Sequence, residues 1–189
     1  MSFYLVTTSN KYENYTPKLK QLLLGKWCLN YKDNRDINCK ILNYHWNDRK
    51  KLHADFLKIN DLYEDVLCDL SIFLNDYHNL KYSKKYWRIV VGLWLNYFIE
   101  IIFDRYEMLN IASNITEEIF VNNYRYYKPS YIANNMSQFM DFVQTDNWNE
   151  YIYSEIINKR FCEKINLIFI NKKKINNKKE TKIKKISNK

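Results

Sequence analysis

The chain has 189 residues, 47% hydrophobic and 17% aromatic, a composition that excludes a disordered or low-complexity protein. Its net charge of +9 is unevenly placed: residues 171–189 hold nine lysines against one glutamate, a balance of +8, which leaves +1 for residues 1–170. The basic character belongs to the tail, so the folded part lacks the electrostatic footprint of a nucleic-acid binder.

A single domain is expected over residues 1–170. Residues 171–189, reduced to Lys, Asn and Ile, read as a disordered tail, because lysine blocks repel one another and do not pack. Cys28, Cys39, Cys68 and Cys162 show no C-x-x-C spacing, and the three histidines show no metal-ligand spacing. Reduced thiols and no metal are expected. Met1 leads straight into Phe3-Tyr4-Leu5-Val6 and then polar residues, so no secretory signal is read, and a cytoplasmic protein is expected.

In chain order, Phe3 to Thr7 is a short apolar run that predicts a buried strand. It ends in Thr7-Thr8-Ser9-Asn10. Ligands in open α/β sheets sit beyond the carboxyl ends of strands, so Thr7 and Thr8 either hold a ligand or simply make a turn. Leu22-Leu23-Leu24 predicts a second strand, broken at Gly25 before Trp27 and Cys28. Cys39 to Tyr44 predicts a third.

His45-Trp46-Asn47-Asp48-Arg49 leads into the first long helix, Lys50 to Asn79, with Asp48 as N-cap. Arg49, Lys50 and Lys51 in its first turn oppose the helix dipole. Together with free N–H groups they suit an anion, while His45 and Trp46 could supply an acid–base group and a stacking face. The plainer alternative is a solvated basic turn with a packed tryptophan. The apolar positions Leu52, Phe56, Ile59, Tyr63, Val66, Leu70, Phe73 and Tyr77 alternate steps of four and three, one helical face.

A second long helix is predicted from Lys84 to Ala112, capped by Ser83, with Trp87, Val91, Trp94, Phe98, Ile101 or Ile102, Arg105 and Leu109 on its seam. The run from Ile89 to Phe103 is nearly all apolar. It is shorter than the ~20 residues of a membrane span and reads as a buried core helix. Arg88, Gly92, Asn96, Glu100 and Asp104 follow at steps of four, either a solvent stripe or the polar wall of a cleft. Arg105, on the apolar seam, needs a carboxylate or carbonyl partner.

Beyond Ala112, Ile119 to Tyr127 is either a strand or an extended cover. A helix is expected near Met136 to Val143. Another runs from Trp148 to about Phe161, capped by Asp146 or Asn147. Leu167 to Ile170 is at most a stub of strand. The fold class expected is α/β, helix-dominated: a small parallel sheet from the N-terminal strands, packed by two long helices. Two glycines cannot build a Gly-x-x-x-x-Gly-Lys-Ser/Thr or Gly-x-Gly-x-x-Gly loop, so no nucleotide-phosphate site of those types is encoded.

Several stretches together carry a resemblance: Leu5-Val6-Thr7-Thr8, Leu24-Gly25-Lys26-Trp27-Cys28, Tyr44-His45-Trp46-Asn47-Asp48-Arg49, Tyr86-Trp87-Arg88-Ile89, Gly92-Leu93-Trp94-Leu95 and Phe103-Asp104-Arg105. Asp141-Phe142 and Trp148-Asn149 match more loosely. Over roughly residues 3 to 160 the chain resembles the N-terminal part of the transferases found in bacterial O-antigen and surface-polysaccharide gene clusters. The likeness fades after about Phe161.

The resemblance implies part of a GT-B type N-terminal domain and a glycosyltransferase-like enzyme at the inner face of the membrane. Its members are far longer, which implies an acceptor-side fragment of a truncated or split frame, inactive alone. It makes Thr7, Thr8, Trp27, His45, Trp46, Asp48, Arg49, Arg88, Asp104 and Arg105 candidate pocket positions, with Trp87 as a further packing face. It supplies no catalytic residue and no cofactor. The partners it implies are a sugar or lipid-linked acceptor and a separate chain with the missing half. The alternatives are a non-catalytic helical domain that docks a partner chain, or a tail that touches nucleic acid or an anionic membrane.

Overall fold

A computed structural model describes residues 2–9, 19–29, 39–124 and 131–170. Five strands form one all-parallel sheet in the order β3-β2-β1-β4-β5, where β1 is Ser2–Val6, β2 Lys20–Leu23, β3 Cys39–Ile41, β4 Glu118–Tyr124 and β5 Ile165–Ile170. Register is fixed by pairs such as Leu5 with Leu22, Phe3 with Ile119 and Ile119 with Ile165. A parallel strand buried on both faces reads as a continuous apolar run, and Phe3 to Val6 and Leu22 to Leu24 are buried throughout. The strand order turns back at β1, the arrangement that opens a crevice at the carboxyl ends of the central strands.

The expected sheet of three strands is therefore enlarged. The segment left open between strand and cover is β4, and the expected stub is the full strand β5. Ile119, Val121 and Ile165 fill the far half of the core. The third strand is shorter than Cys39 to Tyr44: its last pairing is Ile41 with Leu23, and the Leu42 N–H makes a closing hydrogen bond to Leu23 O at 3.0 Å. The tail at 171–189 lies outside the described residues.

The long helices are α1, Arg49–His78, and α2, Lys84–Ser113. Asp48 caps α1, accepting from the Lys50 and Lys51 N–H groups, and Ser83 caps α2 through the Tyr86 N–H. Asn79 closes α1 in the left-handed region at φ 55°, where asparagine is tolerated. The Leu80 N–H then reaches Asn75 O at 2.8 Å. Asn75 also organises the turn: its Oδ1 accepts from Tyr82 N at 3.0 Å and from Trp87 Nε1 at 2.9 Å.

The seam between α1 and α2 is narrower than periodicity predicts. Ile59, Leu67, Leu95, Ile99 and Phe103 are its buried centre, while Phe56, Phe73 and Tyr77 of the expected face are exposed. One partner helix covers only one stripe, and the wider apolar surface of α1 stays open. The second helix likewise is not buried all round: only 28% of its most apolar stretch is enclosed. On α2 the inward row is Trp87, Val91, Leu95, Ile99 and Phe103, whereas Trp94 and Phe98 turn to Phe139. Gly92 lies against α1, where a Cβ would stand 2.6 Å from Tyr63 Oη.

Two shorter helices complete the cover, α3 at Met136–Val143 and α4 at Asp146–Ile156. The cap of α4 is Thr145, which accepts from Trp148 N, and not Asp146 or Asn147. A π-helical turn, Ile157–Phe161, carries the chain on and buries Ile157 and Phe161 in the sheet core.

Candidate functional site

A cavity of about 670 Å³ opens at the carboxyl ends of β1, β2 and β3. Thr7 and Thr8 follow β1 directly. Gly25, Lys26 and Trp27 follow β2, and Leu42, Asn43 and Tyr44 follow β3. The opposite wall comes from α2 with Asp104 and Arg105, and from the α3–α4 segment with Gln144, Asp146, Asn149 and Tyr153.

Each wall is anchored. The Trp27 indole folds back over Gly25, where a Cβ would lie 2.1 Å from the ring. Its Nε1 donates to Thr7 O at 3.2 Å, which ties the end of β2 to the end of β1. Cys28 Sγ adds a contact to Val6 O at 3.2 Å. Tyr44 meets the Trp27 ring edge-on at 6.1 Å between centroids. Thr8 Oγ1 donates to Glu150 Oε1 at 3.0 Å, linking β1 to α4. The Thr7 hydroxyl, by contrast, is buried at the cavity wall with no hydrogen-bond partner. Buried polar groups are normally satisfied, so this one is a free donor and acceptor beside the cavity.

Asp104 is the electrostatic centre. Its Oδ1 lies 3.0 Å from His45 Nε2, and its Oδ2 accepts from Arg105 Nη1 at 2.6 Å. Arg105 in turn donates to Asn149 Oδ1 through Nη2 at 2.9 Å, and Asn149 Nδ2 donates to Val143 O and Thr145 O. Burial alone would push the Asp104 carboxyl up. The His45 hydrogen bond, the Arg105 charge and the Tyr44 hydrogen bond outweigh it and hold the carboxyl below the ordinary range. The Tyr44 hydroxyl is pushed up, by burial first and then by the Asp104 charge and hydrogen bond, so it stays a donor. Arg105 thus has the carboxylate partner that its seam position demands.

Behind Asp104 lies a second layer. His45 is fully enclosed, with Nδ1 3.6 Å from Asp55 Oδ2 and no hydrogen bond of its own. Asp55 accepts from Trp46 Nε1 at 3.0 Å and pairs with Lys51 Nζ at 2.8 Å, and Lys51 also reaches Glu107 at 2.7 Å. Burial acts against the charges of Asp55 and Lys51, but their mutual pairing wins, lowering the carboxyl and raising the amine. His45, Asp55 and Glu107 bring three potential metal-ligand atoms within 4.8 Å of one another. The Lys51 ammonium already bridges the two carboxylates, so the side chains supply their own cation.

The sequence-predicted positions divide accordingly. Thr7, Thr8, Trp27, Asp104 and Arg105 line one cavity. His45 and Trp46 stand in the layer behind it. Asp48 is spent on capping α1, and Arg49 is exposed outside the cavity. The first N–H groups of α1 are taken by Asp48, and Lys51 is paired, so the expected anion site at this helix start is not assembled. Arg88 lies along the hairpin, paired with Glu64, and Trp87 packs at its turn. The row Arg88, Gly92, Asn96, Glu100, Asp104 is neither one solvent stripe nor one cleft wall. Gly92 and Asp104 are buried, and only Asp104 reaches the cavity. Asp146 and Tyr153 come from α4, and no periodicity signals that they close the cavity.

A family model described as LIC12162 family transferase matches residues 3–189. The match runs past Phe161, where the likeness read from the sequence fades. No curated protein and no solved structure matches the chain.

Proposed function

The chain belongs to the LIC12162 family of transferases, and we propose that its cavity holds the sugar acceptor of a glycosyltransferase-like reaction in bacterial surface-polysaccharide biosynthesis. The observation that carries this reading is the make-up of the cavity. Aromatic rings at Trp27, Tyr44 and Tyr153 line it together with amides and carboxylates at Asn43, Asn47, Gln144, Asn149, Asp104 and Asp146. Aromatic faces with convergent acceptors and amides suit a ring bearing many hydroxyl groups.

A diphosphate is the poorer fit. Of the two cations that line the cavity among the described residues, Arg105 is held by Asp104 and Asn149, which leaves Lys26. The two glycines form no phosphate loop. In this reading the activated donor is bound outside this cavity, and the acceptor is a free or lipid-linked saccharide met at the inner face of the membrane.

Calorimetry on the purified chain tests the reading, with bacterial surface oligosaccharides and nucleotide sugars titrated separately. Oligosaccharide binding is expected, weakened about tenfold by Trp27→Ala. Arg49→Ala, outside the cavity, should leave it unchanged. Tight binding of a nucleotide sugar in the same cavity, or no oligosaccharide binding at all, would overturn the acceptor role.

A further inference from the structure

The side of α2 turned away from α1 is apolar. Tyr86, Ile89, Val90, Leu93 and Tyr97 follow one another at helical spacing opposite the row Val91, Leu95 and Ile99 that meets α1. Ile89 is 77% exposed and Leu93 66%. These side chains lie on the outside of a helix whose inner face is already satisfied, so the fold does not need them.

Charge around this patch is one-sided. From Tyr77 to Ile99 the sequence has Lys81, Lys84, Lys85 and Arg88 and no acidic residue. Lys84 and Arg88 share the single carboxylate of Glu64 on α1, which offsets one of their two charges. Lys81 and Lys85 are exposed and make no ion pair among the described residues. Tyr82 and Tyr86, stacked at 4.1 Å between centroids, stand between them and the aliphatic row. Lysines at the border, tyrosines at the level of the headgroups and aliphatic side chains beyond form the pattern of an interfacial helix.

We propose that the outer face of α2 and of the turn before it, from Lys81 to Tyr97, seats this protein on an anionic lipid bilayer. The helix lies in the plane of the headgroups and does not cross. Crossing would strip Gly92 from Tyr63, Arg88 from Glu64 and Asp104 from His45, contacts that fasten α2 to the domain along its length. A second copy of the chain is the poorer occupant. A two-fold contact centred on the patch would bring its basic side chains together, and the acid paired there, Glu64, is already shared by Lys84 and Arg88. The proposal is independent of what the cavity binds.

Flotation with phosphatidylcholine vesicles, with and without phosphatidylglycerol, tests it on the full chain. Binding to the anionic vesicles is expected. The exposed double substitution Ile89→Asp/Leu93→Asp should weaken partitioning at least about tenfold with the fold intact by circular dichroism. Lys81→Gln/Lys85→Gln should weaken it less and remove part of its salt dependence. Three results would overturn the proposal: no binding to anionic vesicles; undiminished binding by Ile89→Asp/Leu93→Asp, which assigns the contact to the lysines of 171–189; or a dimer in ultracentrifugation that this variant dissociates while vesicle binding stays as in the wild type.

Discussion

His45 Nε2 and Asp104 Oδ1, 59 residues apart in sequence, lie 3.0 Å apart beside the cavity. The contact joins the turn after β3 to the middle of α2, so one hydrogen bond ties the sheet end to the helical hairpin. Because Asp104 also holds Arg105, losing it disturbs both walls.

Asp104→Asn should destabilise the protein by about 1–3 kcal/mol near neutral pH, measured by urea unfolding. The sign follows from the depressed carboxyl. A group whose folded pKa lies below its unfolded value contributes stability that is full above that unfolded value, about 3.9, and is lost as pH falls through the folded value. The gap between wild type and variant should therefore narrow below about pH 4. A gap that widened in acid would contradict the assigned charge.

Thr7→Val removes a buried hydroxyl that has no partner. An isosteric apolar replacement there should leave stability unchanged within about 1 kcal/mol, or raise it. If the hydroxyl meets the acceptor, oligosaccharide affinity should fall about tenfold in calorimetry. A large loss of thermal stability would show that the hydroxyl has a structural task.

Gly25→Ala places a methyl group inside the Trp27 ring, 2.1 Å from its nearest atom. The indole must leave the cavity wall and release Thr7 O. A cost of about 1–3 kcal/mol is expected, with a shift in tryptophan emission and loss of oligosaccharide binding. Emission and affinity like the wild type would mean that the ring is not held against the glycine.

Gly92 separates two effects. Alanine gains up to about 1 kcal/mol in helix propensity, which offsets the displacement of the Tyr63 hydroxyl. Valine gains less propensity and adds two further methyl groups against Tyr63, so Gly92→Val should cost about 1–3 kcal/mol. Tyr63→Phe should recover part of that cost, and a double-mutant cycle measures the coupling. Additive costs would remove the contact from the account.

Much of the frame was legible in the chain itself. Unbroken apolar runs at Phe3 to Val6 and Leu22 to Leu24 specify parallel strands buried on both faces. Asp48 and Ser83 specify two helix starts, because a cap is a local contact spanning three residues. The strand end at Thr7 and Thr8 is a local signal, and these residues, with Trp27 from the resemblance, do line the cavity.

What the tertiary structure alone decided was which apolar faces find a partner and which distant residues meet. Period identifies a stripe on α1 but not its neighbour, so Phe73 and Tyr77 fit the pattern and still face outward. The segments at 118–124 and 165–170 became strands through a parallel pairing that no short window encodes. Asp104, Asn149 and Tyr153 reach one cavity, with His45 behind Asp104, only because the hairpin folds back on the sheet end. Helix starts depend on neighbours in sequence, whereas a binding cavity depends on separations that only the packed chain sets.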